Sequence, residues 1–405
     1  MSESTIPVAF PSKTPHFDVP PPLSLYVHIP WCVRKCPYCD FNSHEAKEAL
    51  PESAYVDAIC ADLEADLPRV WGRRVESIFI GGGTPSLFSP AGMDRLLSEI
   101  RARVPLNALA EITLEANPGT VDQARFADFR EMGINRLSLG VQSFNDDCLR
   151  ALGRIHDGQQ AQRAFEAARH AGFDNINIDL MFGLPGQTLD IARADVEHAL
   201  VLNPTHVSYY HLTLEPNTYF AQFPPALPDD DLAWDMHTQG MTQLREAGYV
   251  RYEVSAFARD EQQCWHNLNY WRFGDYLGVG AGAHGKITDA PGQRIVRLNK
   301  LKHPKDYLAA PSKLAQETVV NPVDLPFEFM MNALRLCAGV ESPLFAERTG
   351  LAMSAVSGML QKAQDKGWIT WDHRHIAPTA TGLTFLNDLL TLFLPESSRE
   401  STPHG

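Results

Sequence analysis

The chain has 405 residues, of which 44% are hydrophobic, and a formal net charge of −14. This length predicts two or three domains, and the acidic balance argues against a nucleic-acid-binding protein, because phosphate binding needs clustered Lys and Arg. No stretch approaches the roughly 20 apolar residues that a membrane helix needs. The seven cysteines are odd in number and only three are clustered, which excludes a disulfide framework and favours a reducing compartment. We therefore expect a cytoplasmic protein, at most peripheral at a membrane.

The first predicted strand, Leu25–Ile29, leads directly into a cysteine-rich loop. Its C-x-x-x-C-x-x-C motif consists of Cys32, Cys36 and Cys39. Three thiolates leave one iron of a four-iron cluster without a protein ligand, and that iron can bind the amino and carboxylate groups of S-adenosylmethionine and pass an electron to its sulfonium. The alternative is a structural zinc site completed by His28 or His44. The position at the carboxyl end of a strand, where barrel enzymes keep their chemistry, favours the cluster.

Short apolar runs alternate with amphipathic stretches from the first strand to about residue 212. The predicted strands are Leu25–Ile29, Ser77–Ile80, Ile112–Glu115, Arg136–Gly140, Ile176–Leu180 and Val207–Leu212. The helices predicted between them are Ala54–Leu67, Asp94–Arg103, Ala124–Met132, Gln159–Ala171 and Leu189–Leu202. This alternation implies a parallel sheet with right-handed crossovers. Because a closed barrel needs about eight repeats, the predicted fold class is α/β, an open, partial (β/α)6 barrel of the TIM type.

Polar or glycine-rich residues follow the predicted strands, which is where a barrel places its functional groups. Gly81–Pro85 follows the second strand and exposes backbone amides to a ligand. Glu115 ends the third strand and Gln142 follows the fourth. Asp179 lies within the apolar fifth strand, where a carboxylate without a partner is costly, and Arg154 can supply the opposite charge or grip a ligand carboxylate. Each of these residues has a structural alternative as a turn or loop anchor, but together they predict one ligand site.

Together these motifs resemble the radical S-adenosylmethionine superfamily, in particular the branch that contains oxygen-independent coproporphyrinogen III dehydrogenase (HemN) and the haem chaperones of the HemW group. The resemblance covers residue 23 through the C-terminal region. It implies that the three cysteines hold a 4Fe–4S cluster, and that cluster-bound S-adenosylmethionine contacts Tyr26, Gly82, Glu115 and the loop near Thr213. The positions that match a second S-adenosylmethionine site in the dehydrogenase are Tyr38, Gly83, Thr84, Gln142, Arg154 and Asp179.

Two sequence features separate the members of this branch. The dehydrogenase carries a cysteine at the position of Phe41, whereas the continuation 39–44 resembles the HemW group. The segment Cys264–Trp271 contains the H-N-x-x-Y-W arrangement that is typical of that group. Its composition allows either a packed aromatic cluster with a hydrogen-bonded histidine or a surface that stacks on a porphyrin. The resemblance favours the second interpretation and gives the haem-binding candidates His266, as an axial ligand, Tyr270 and Trp271, with Cys264 as a weaker alternative ligand.

From about residue 325 the pattern becomes helix-rich. Helices are predicted over Phe327–Leu336, Pro343–Thr349, Met353–Lys366 and Gly382–Leu394, with a hairpin of Trp368–Trp371 and His375–Pro378. This order resembles a winged helix, but the chain lacks a dense basic face for DNA, which favours a cap or a docking surface. The predicted organisation is a flexible N-terminal tail (1–22), a radical S-adenosylmethionine partial barrel (23–245), a haem-motif and connecting region (246–324), a winged-helix-like domain (325–394) and a disordered tail (395–405).

The resemblance implies a haem chaperone of the radical S-adenosylmethionine class that delivers haem to apo-haemoproteins such as respiratory enzymes, membrane-bound ones included. The alternative is the dehydrogenase, which converts two propionate side chains of coproporphyrinogen III to vinyl groups by hydrogen abstraction. The nearly complete set of S-adenosylmethionine contacts supports that alternative, whereas Phe41 and the His266 motif oppose it. Three thiolates leave a ligand position vacant, so a cluster shared between two chains in a homodimer also stays open.

Overall fold

The structure is a computed structural model that describes residues 14–395. Its main sheet has these strands in chain order: β1 Leu23–Ile29, β2 Val75–Gly82, β3 Leu106–Ala116, β4 Arg136–Gln142, β5 Asn175–Phe182, β6 His206–His211, β7 Val250–Glu253, β8 Ala256–Ala258, β9 Asp275–Val279, β10 His284–Asp289, β11 Arg294–Lys300 and β12 Leu314–Val319. The spatial order is β12-β11-β10-β9-β1-β2-β3-β4-β5-β6-β8-β7. All the strands predicted up to residue 212 are present.

The pairing of the strands confirms an open, mostly parallel arrangement. Strands β1 to β6 pair in parallel with their neighbours, and β9 adds a further parallel strand on the other side of β1. The remaining strands pair antiparallel at both edges. In the part of the chain that the structure describes, β12 and β7 are the two edges of the sheet, so the barrel is not closed.

Within the described residues, helices occur at all nine predicted positions, the last of them as two short helices, and five more that were not predicted lie among them. In chain order the helices are α1 Glu52–Asp66, α2 Pro90–Arg103, α3 Gln123–Glu131, α4 Asp146–Ala151, α5 Gly158–His170, α6 Leu189–Leu202, α7 Tyr219–Gln222, α8 Asp230–Glu246, α9 Trp265–Trp271, α10 Pro304–Ala309, α11 Leu325–Ala333, α12 Pro343–Thr349, α13 Ser357–Asp365, α14 Ala380–Thr384 and α15 Leu386–Thr391. Asp157 caps α5 in a capping box with Gln160, and Ser89 caps α2 by accepting from the Gly92 N–H. None of the helices within residues 14–395 has the length and apolar character to cross a membrane.

The strand β1 shows how the core positions the site. Leu25, Val27 and Ile29 are fully buried in the largest apolar cluster. Successive side chains on a strand point to opposite faces, so Tyr26 and His28 lie on the other face of the same strand. That face is also turned away from solvent, as expected for a parallel strand. It lies against polar groups and borders the cavities described below.

The C-terminal part is helical, as predicted, with a small sheet of β13 Val340–Glu341, β14 Ile369–Trp371 and β15 His375–Pro378. The predicted hairpin is the antiparallel pair β14 and β15. This part has an apolar cluster of its own that includes Phe17. Phe17 belongs to the predicted N-terminal tail, and its N–H donates to Gln293 Oε1 at 2.8 Å. Residues 1–13 of that tail and almost all of the predicted C-terminal tail lie outside the described residues.

Candidate functional site

The cysteine loop begins where β1 ends and is fixed at both of its ends. Trp31–Cys32 pairs in parallel with His44–Glu45, and the Ala46 N–H donates to the Cys32 carbonyl at 2.9 Å. Between these ends, the Cys39 N–H donates to the Cys36 carbonyl at 3.1 Å and closes a turn. The three thiols are therefore presented from a loop whose ends are anchored at the carboxyl edge of the sheet.

The three thiols have different surroundings. Cys32 is buried, whereas Cys36 and Cys39 are half-buried. Cys36 Sγ accepts a hydrogen bond from Arg154 Nη1 at 3.5 Å, and Cys39 Sγ lies 3.6 Å from Ser43 Oγ. Burial raises the pKa of the Cys32 and Cys39 thiols. The thiolate forms that bind iron therefore need a strong local positive charge, which bound metal supplies.

The loop after β2 contains glycines because it lies directly against the cysteine loop. Gly82 has a φ of +119°, and a Cβ on it would lie 2.7 Å from the His28 ring. A Cβ on Gly83 would lie 2.5 Å from the Trp31 carbonyl oxygen and 3.0 Å from Cys32 Sγ. The Gly83 N–H also donates to the Ile29 carbonyl at 2.8 Å. Any side chain at Gly83 would therefore push the first cysteine away.

A polar layer inside the barrel faces the cysteine loop across a cavity of about 580 Å³. Every second residue of three neighbouring strands lines this cavity: Arg136, Ser138, Gly140 and Gln142 from β4, Asn177, Asp179 and Met181 from β5, and His206, Ser208 and Tyr210 from β6. Asp179 accepts from Asn177 Nδ2 at 2.8 Å and from Ser138 Oγ at 3.2 Å. Tyr210 donates to Gln142 Oε1 at 2.6 Å. The polar groups are thus fixed before any ligand arrives.

The structure brings the predicted site residues together. The cavity lining includes the three cysteines together with Tyr38, Gly82, Gly83, Thr84, Glu115, Gln142, Arg154, Asp179 and Thr213. Tyr26 is the exception among the predicted S-adenosylmethionine contacts, because it lines a second, adjacent cavity. Sequence reasoning missed Arg136, Asn177 and Tyr210. The period-2 alternation of a strand, counted from Gln142 and Asp179, would have found the first two.

Glu115 and Asp179 are two half-buried carboxyl groups that line the same cavity. Glu115 Oε2 accepts from the Gly82 N–H at 3.0 Å. Burial and the negative charge of Asp179 raise the pKa of Glu115 to about 8. Burial also raises the pKa of Asp179, although the hydrogen bond from Asn177 counteracts the shift. Glu115 therefore holds a proton at neutral pH until a cation, such as the ammonium group of a ligand, favours the carboxylate.

Two residues near the carboxyl end of β4 have energetically unfavourable features: a buried donor without a partner and a left-handed backbone conformation. Arg154 donates from Nη2 to the Gly140 carbonyl at 2.6 Å, but its buried Nε has no hydrogen-bond partner among the described residues. Gln142 has a φ of +72° at a point where the register between β4 and β5 shifts. A buried donor without a partner and a left-handed non-glycine residue are both features that occur at functional sites.

These observations fit a 4Fe–4S cluster with S-adenosylmethionine. The thiols would hold the cluster, the glycine cradle admits it beside Cys32, and the Arg154 donor lies in the same cavity. When bound, the cluster supplies an electron to S-adenosylmethionine. Within residues 14–395 no three His, Cys, Asp or Glu side chains gather around a point fit for a single metal ion, whereas a cluster spreads its thiolate ligands over several irons.

The surroundings of His28 bear on the zinc alternative. His28 Nδ1 is hydrogen-bonded to the Tyr26 hydroxyl at 3.0 Å, and its Nε2 to the Asn42 carbonyl at 2.9 Å. Both ring nitrogens therefore have protein partners. His28 instead ties β1 to the end of the cysteine loop.

The H-N-x-x-Y-W motif forms α9. His266 is 1% exposed, its Nδ1 is hydrogen-bonded to Ser77 Oγ at 3.0 Å, and its Nε2 to the Tyr270 hydroxyl at 2.8 Å. Burial, helped by the charge of Arg136, lowers the pKa of His266 to about 3. The structure thus places His266 in a packed aromatic cluster with hydrogen bonds on both nitrogens. Tyr270 and Trp271 line the second cavity.

Comparison with known proteins agrees with this geometry. Residues 26–199 match the radical SAM superfamily and residues 320–385 match the HemN C-terminal domain. The chain is 50% identical over 376 residues to "Heme chaperone HemW" of Escherichia coli K12, covering 93% of this chain and 99% of that protein. Identity to the Bacillus subtilis 168 protein of the same name is 35% over 380 residues, covering 92% and 99%.

A solved structure is also similar over nearly the whole chain. Coproporphyrinogen III oxidase (HemN) from Escherichia coli, described as a radical SAM enzyme, aligns with a TM-score of 0.78 at 25% identity, covering 92% of this chain and 90% of that chain. An open α/β barrel with a three-cysteine loop after its first strand is thus the framework of a radical S-adenosylmethionine protein. Within this superfamily, the chain belongs to the HemW family. The family and fold class predicted from the sequence are confirmed.

Proposed function

We propose that this protein is a haem chaperone that binds haem and delivers it to apo-haemoproteins. The observation that carries the proposal is the 50% identity, over almost the full length of both chains, to a protein named a haem chaperone. The Phe41 position supports it, because this side chain is 59% exposed beside the cysteine loop, where the dehydrogenase has a further thiol. Respiratory enzymes in or near the cytoplasmic membrane are the proposed recipients.

In this proposal the site residues have the following roles. Cys32, Cys36 and Cys39 hold the 4Fe–4S cluster. S-adenosylmethionine contacts Tyr26, Gly82 and Glu115, and the residues that resemble a second S-adenosylmethionine site complete the cavity. The carboxyl group of Glu115, which lies beside the Gly82 N–H, receives the ammonium group of the ligand. The protein works in the cytoplasm, and a homodimer is compatible with a cluster that has one iron free of thiolate.

The dehydrogenase is the second candidate, favoured by the structural similarity to coproporphyrinogen III oxidase. One anaerobic experiment separates the two functions. The reconstituted protein is incubated with S-adenosylmethionine, a reductant and coproporphyrinogen III, and the tetrapyrroles are resolved by chromatography. We expect unchanged coproporphyrinogen. Formation of protoporphyrinogen would make the protein a dehydrogenase.

The chaperone activity is tested directly with haem. The reconstituted protein is titrated with haem b, freed of excess haem, and mixed with the apo-form of a b-type respiratory enzyme whose activity reports haem insertion. We expect haem binding and a gain of activity that exceeds the gain from free haem at the same concentration. A Cys36→Ser variant is the control for dependence on the cluster. A wild-type protein that binds no haem would refute the proposal.

A further inference from the structure

The second cavity has a volume of about 840 Å³ and borders the cluster cavity. Asp40, Phe41, Gly82 and Glu115 line both. Its size lies within the range of sites for cofactor-sized ligands. The cavity opens at the functional edge of the sheet, because β9 runs parallel to β1 and the residues after its carboxyl end form part of the lining. A large ligand in this cavity would therefore lie next to the cluster.

The cavity lining contains several aromatic and apolar residues. They are Phe41, Tyr270, Trp271, Phe273, Tyr276 and Met331. Tyr270 packs edge-on against Tyr276, with ring centroids 4.5 Å apart. The hydrogen bond between its hydroxyl and His266 Nε2 holds it in this position. Phe41 stands on the border of the two cavities with most of its ring exposed. Such a lining suits the flat, apolar face of a macrocycle.

Basic residues also line the cavity, and two of them contact its aromatic residues: Lys286 Nζ lies 4.2 Å from the centroid of the Phe273 ring, and Arg297 Nη1 donates to the Tyr276 hydroxyl at 2.9 Å. Both are already engaged in ion pairs, Lys286 with Asp275 at 3.1 Å and Arg297 with Glu328 at 2.5 Å. Lys302 is exposed and forms no ion pair within the described part of the chain, and Lys35 donates only to the Phe41 carbonyl at 3.2 Å. These two ammonium groups are therefore available for carboxylates of a ligand.

The cavity also contains an imidazole with free nitrogens. His28 uses both ring nitrogens, and His44 uses one of them, because its Nε2 is hydrogen-bonded to Asn42 Oδ1 at 3.3 Å. His284, the first residue of β10, lines the cavity and is exposed. Its ring forms no hydrogen bond to any described residue. The glycine-rich turn that precedes it is held against the cysteine loop, because Asn42 Nδ2 donates to the Ala281 carbonyl at 2.8 Å.

We propose that this cavity is the haem site, that His284 rather than His266 supplies the iron ligand, and that Lys35 and Lys302 receive the propionates. The aromatic residues of the lining, with Tyr270 and Trp271 among them, pack against the ring. This inference rests on the proposed haem-binding function and assigns it a place and a ligand. It gives His266 a positioning role, because its hydrogen bond holds Tyr270 in the cavity wall.

The ligand is tested with single histidine variants of the full-length, cluster-loaded protein. Haem b is titrated into His284→Ala, His303→Ala and the wild type, and the spectra are recorded in the ferric and ferrous states. We expect His284→Ala to lose the histidine-ligated spectrum, to bind haem more than about tenfold more weakly, and to recover the spectrum with added imidazole. His303, a neighbouring exposed histidine that does not line the cavity, should behave as wild type.

Other outcomes of this experiment are equally decisive. An unchanged spectrum in His284→Ala, with loss of the histidine-ligated spectrum in His266→Gln, would overturn the assignment and leave the haem-chaperone function intact. A wild type that binds no haem would remove both proposals. Iron and sulfide contents, together with circular dichroism, show for each variant that the cluster and the fold are retained.

The propionate contacts need a separate test, because they do not affect the spectrum. Lys302→Gln and Lys35→Gln are compared with wild type for binding of haem b and of its dimethyl ester. Each exposed ion pair should contribute about two- to fivefold in affinity for haem and nothing for the ester. Equal losses for both ligands would show that the lysines do not contact the propionates, and an unchanged affinity for haem would do the same.

Discussion

Replacing Glu115 by Gln should change how the stability of the protein depends on pH. Burial and the charge of Asp179 raise the pKa of Glu115 from its ordinary value of 4.5 to about 8. Below pH 4.5 the carboxyl group is protonated in both the folded and the unfolded chain. Between pH 4.5 and 8 the unfolded chain ionises while the folded chain keeps its proton, so stability falls as the pH rises. Above pH 8 no further loss is expected from this group.

The size of the effect follows from the same values. A pKa that moves from 4.5 to about 8 corresponds to an upper limit of about 5 kcal/mol. Since the carboxyl group lines the cavity and accepts the Gly82 N–H, we expect about 2 to 3 kcal/mol. Gln is nearly isosteric with the protonated acid and cannot ionise, so the variant escapes this loss.

The assay is anaerobic urea denaturation of the wild type and Glu115→Gln at several pH values between 5 and 9. The difference in the free energy of unfolding should shift in favour of the variant as the pH rises and should level off above pH 8. Saturating S-adenosylmethionine should reduce the difference, because a ligand ammonium group stabilises the carboxylate. Parallel pH profiles for the two proteins would refute the reasoning.

Three further predictions concern single contacts. Gly83→Ala should lower the iron content after reconstitution, since its Cβ would meet the Trp31 carbonyl and Cys32 Sγ; Gly358→Ala, which has open space around it, should retain full iron content. Lys300→Met should lower the free energy of unfolding by about 3–5 kcal/mol, measured by denaturation. Asp62 and Asp66 each lie 2.6 Å from the Lys300 ammonium group; in the variant Asp62 would stay buried without a cation, and Asp66 would keep only Arg69 at 3.3 Å. His266→Ala should cost about 3 kcal/mol through its lost packing and hydrogen bonds; an unchanged denaturation midpoint would contradict its burial.

The barrel strands could be predicted because buried parallel strands are nearly continuous apolar runs, as in Leu25–Ile29 and Ile176–Leu180. Strand β9, Asp275–Val279, was missed because it is short and begins with a charged residue. Its parallel partner β1 lies some 250 residues earlier in the chain, and no local signal reports such a pairing. The antiparallel extension β10 to β12 was missed with it, and so was the second cavity.

The site could be predicted as far as strand ends were recognised. Gly81–Pro85, Glu115 and Gln142 were chosen because each ends or follows a predicted strand. The run Gly280-Ala-Gly-Ala-His284 carries the same signal, a glycine-rich turn after a parallel strand, but that strand had not been predicted. The H-N-x-x-Y-W motif attracted attention through its composition. Composition cannot distinguish a histidine that faces a ligand from one that is bonded to Ser77 and Tyr270.

The position that separates the two members of the branch, Phe41, gains a physical meaning from the two cavities. It lies after the third cysteine and lines both the cluster cavity and the larger aromatic cavity. The hydrogen bonds at Cys36 and Cys39 are with Arg154 and Ser43 and do not involve the Phe41 side chain. We therefore expect a replacement of Phe41 to affect what lies beside the cluster. In the proposed haem site the exposed Phe41 ring would pack against the macrocycle, whereas a cysteine would offer a reactive thiol to the same ligand. The proposal thus accounts for the difference at position 41 by what would lie beside the cluster.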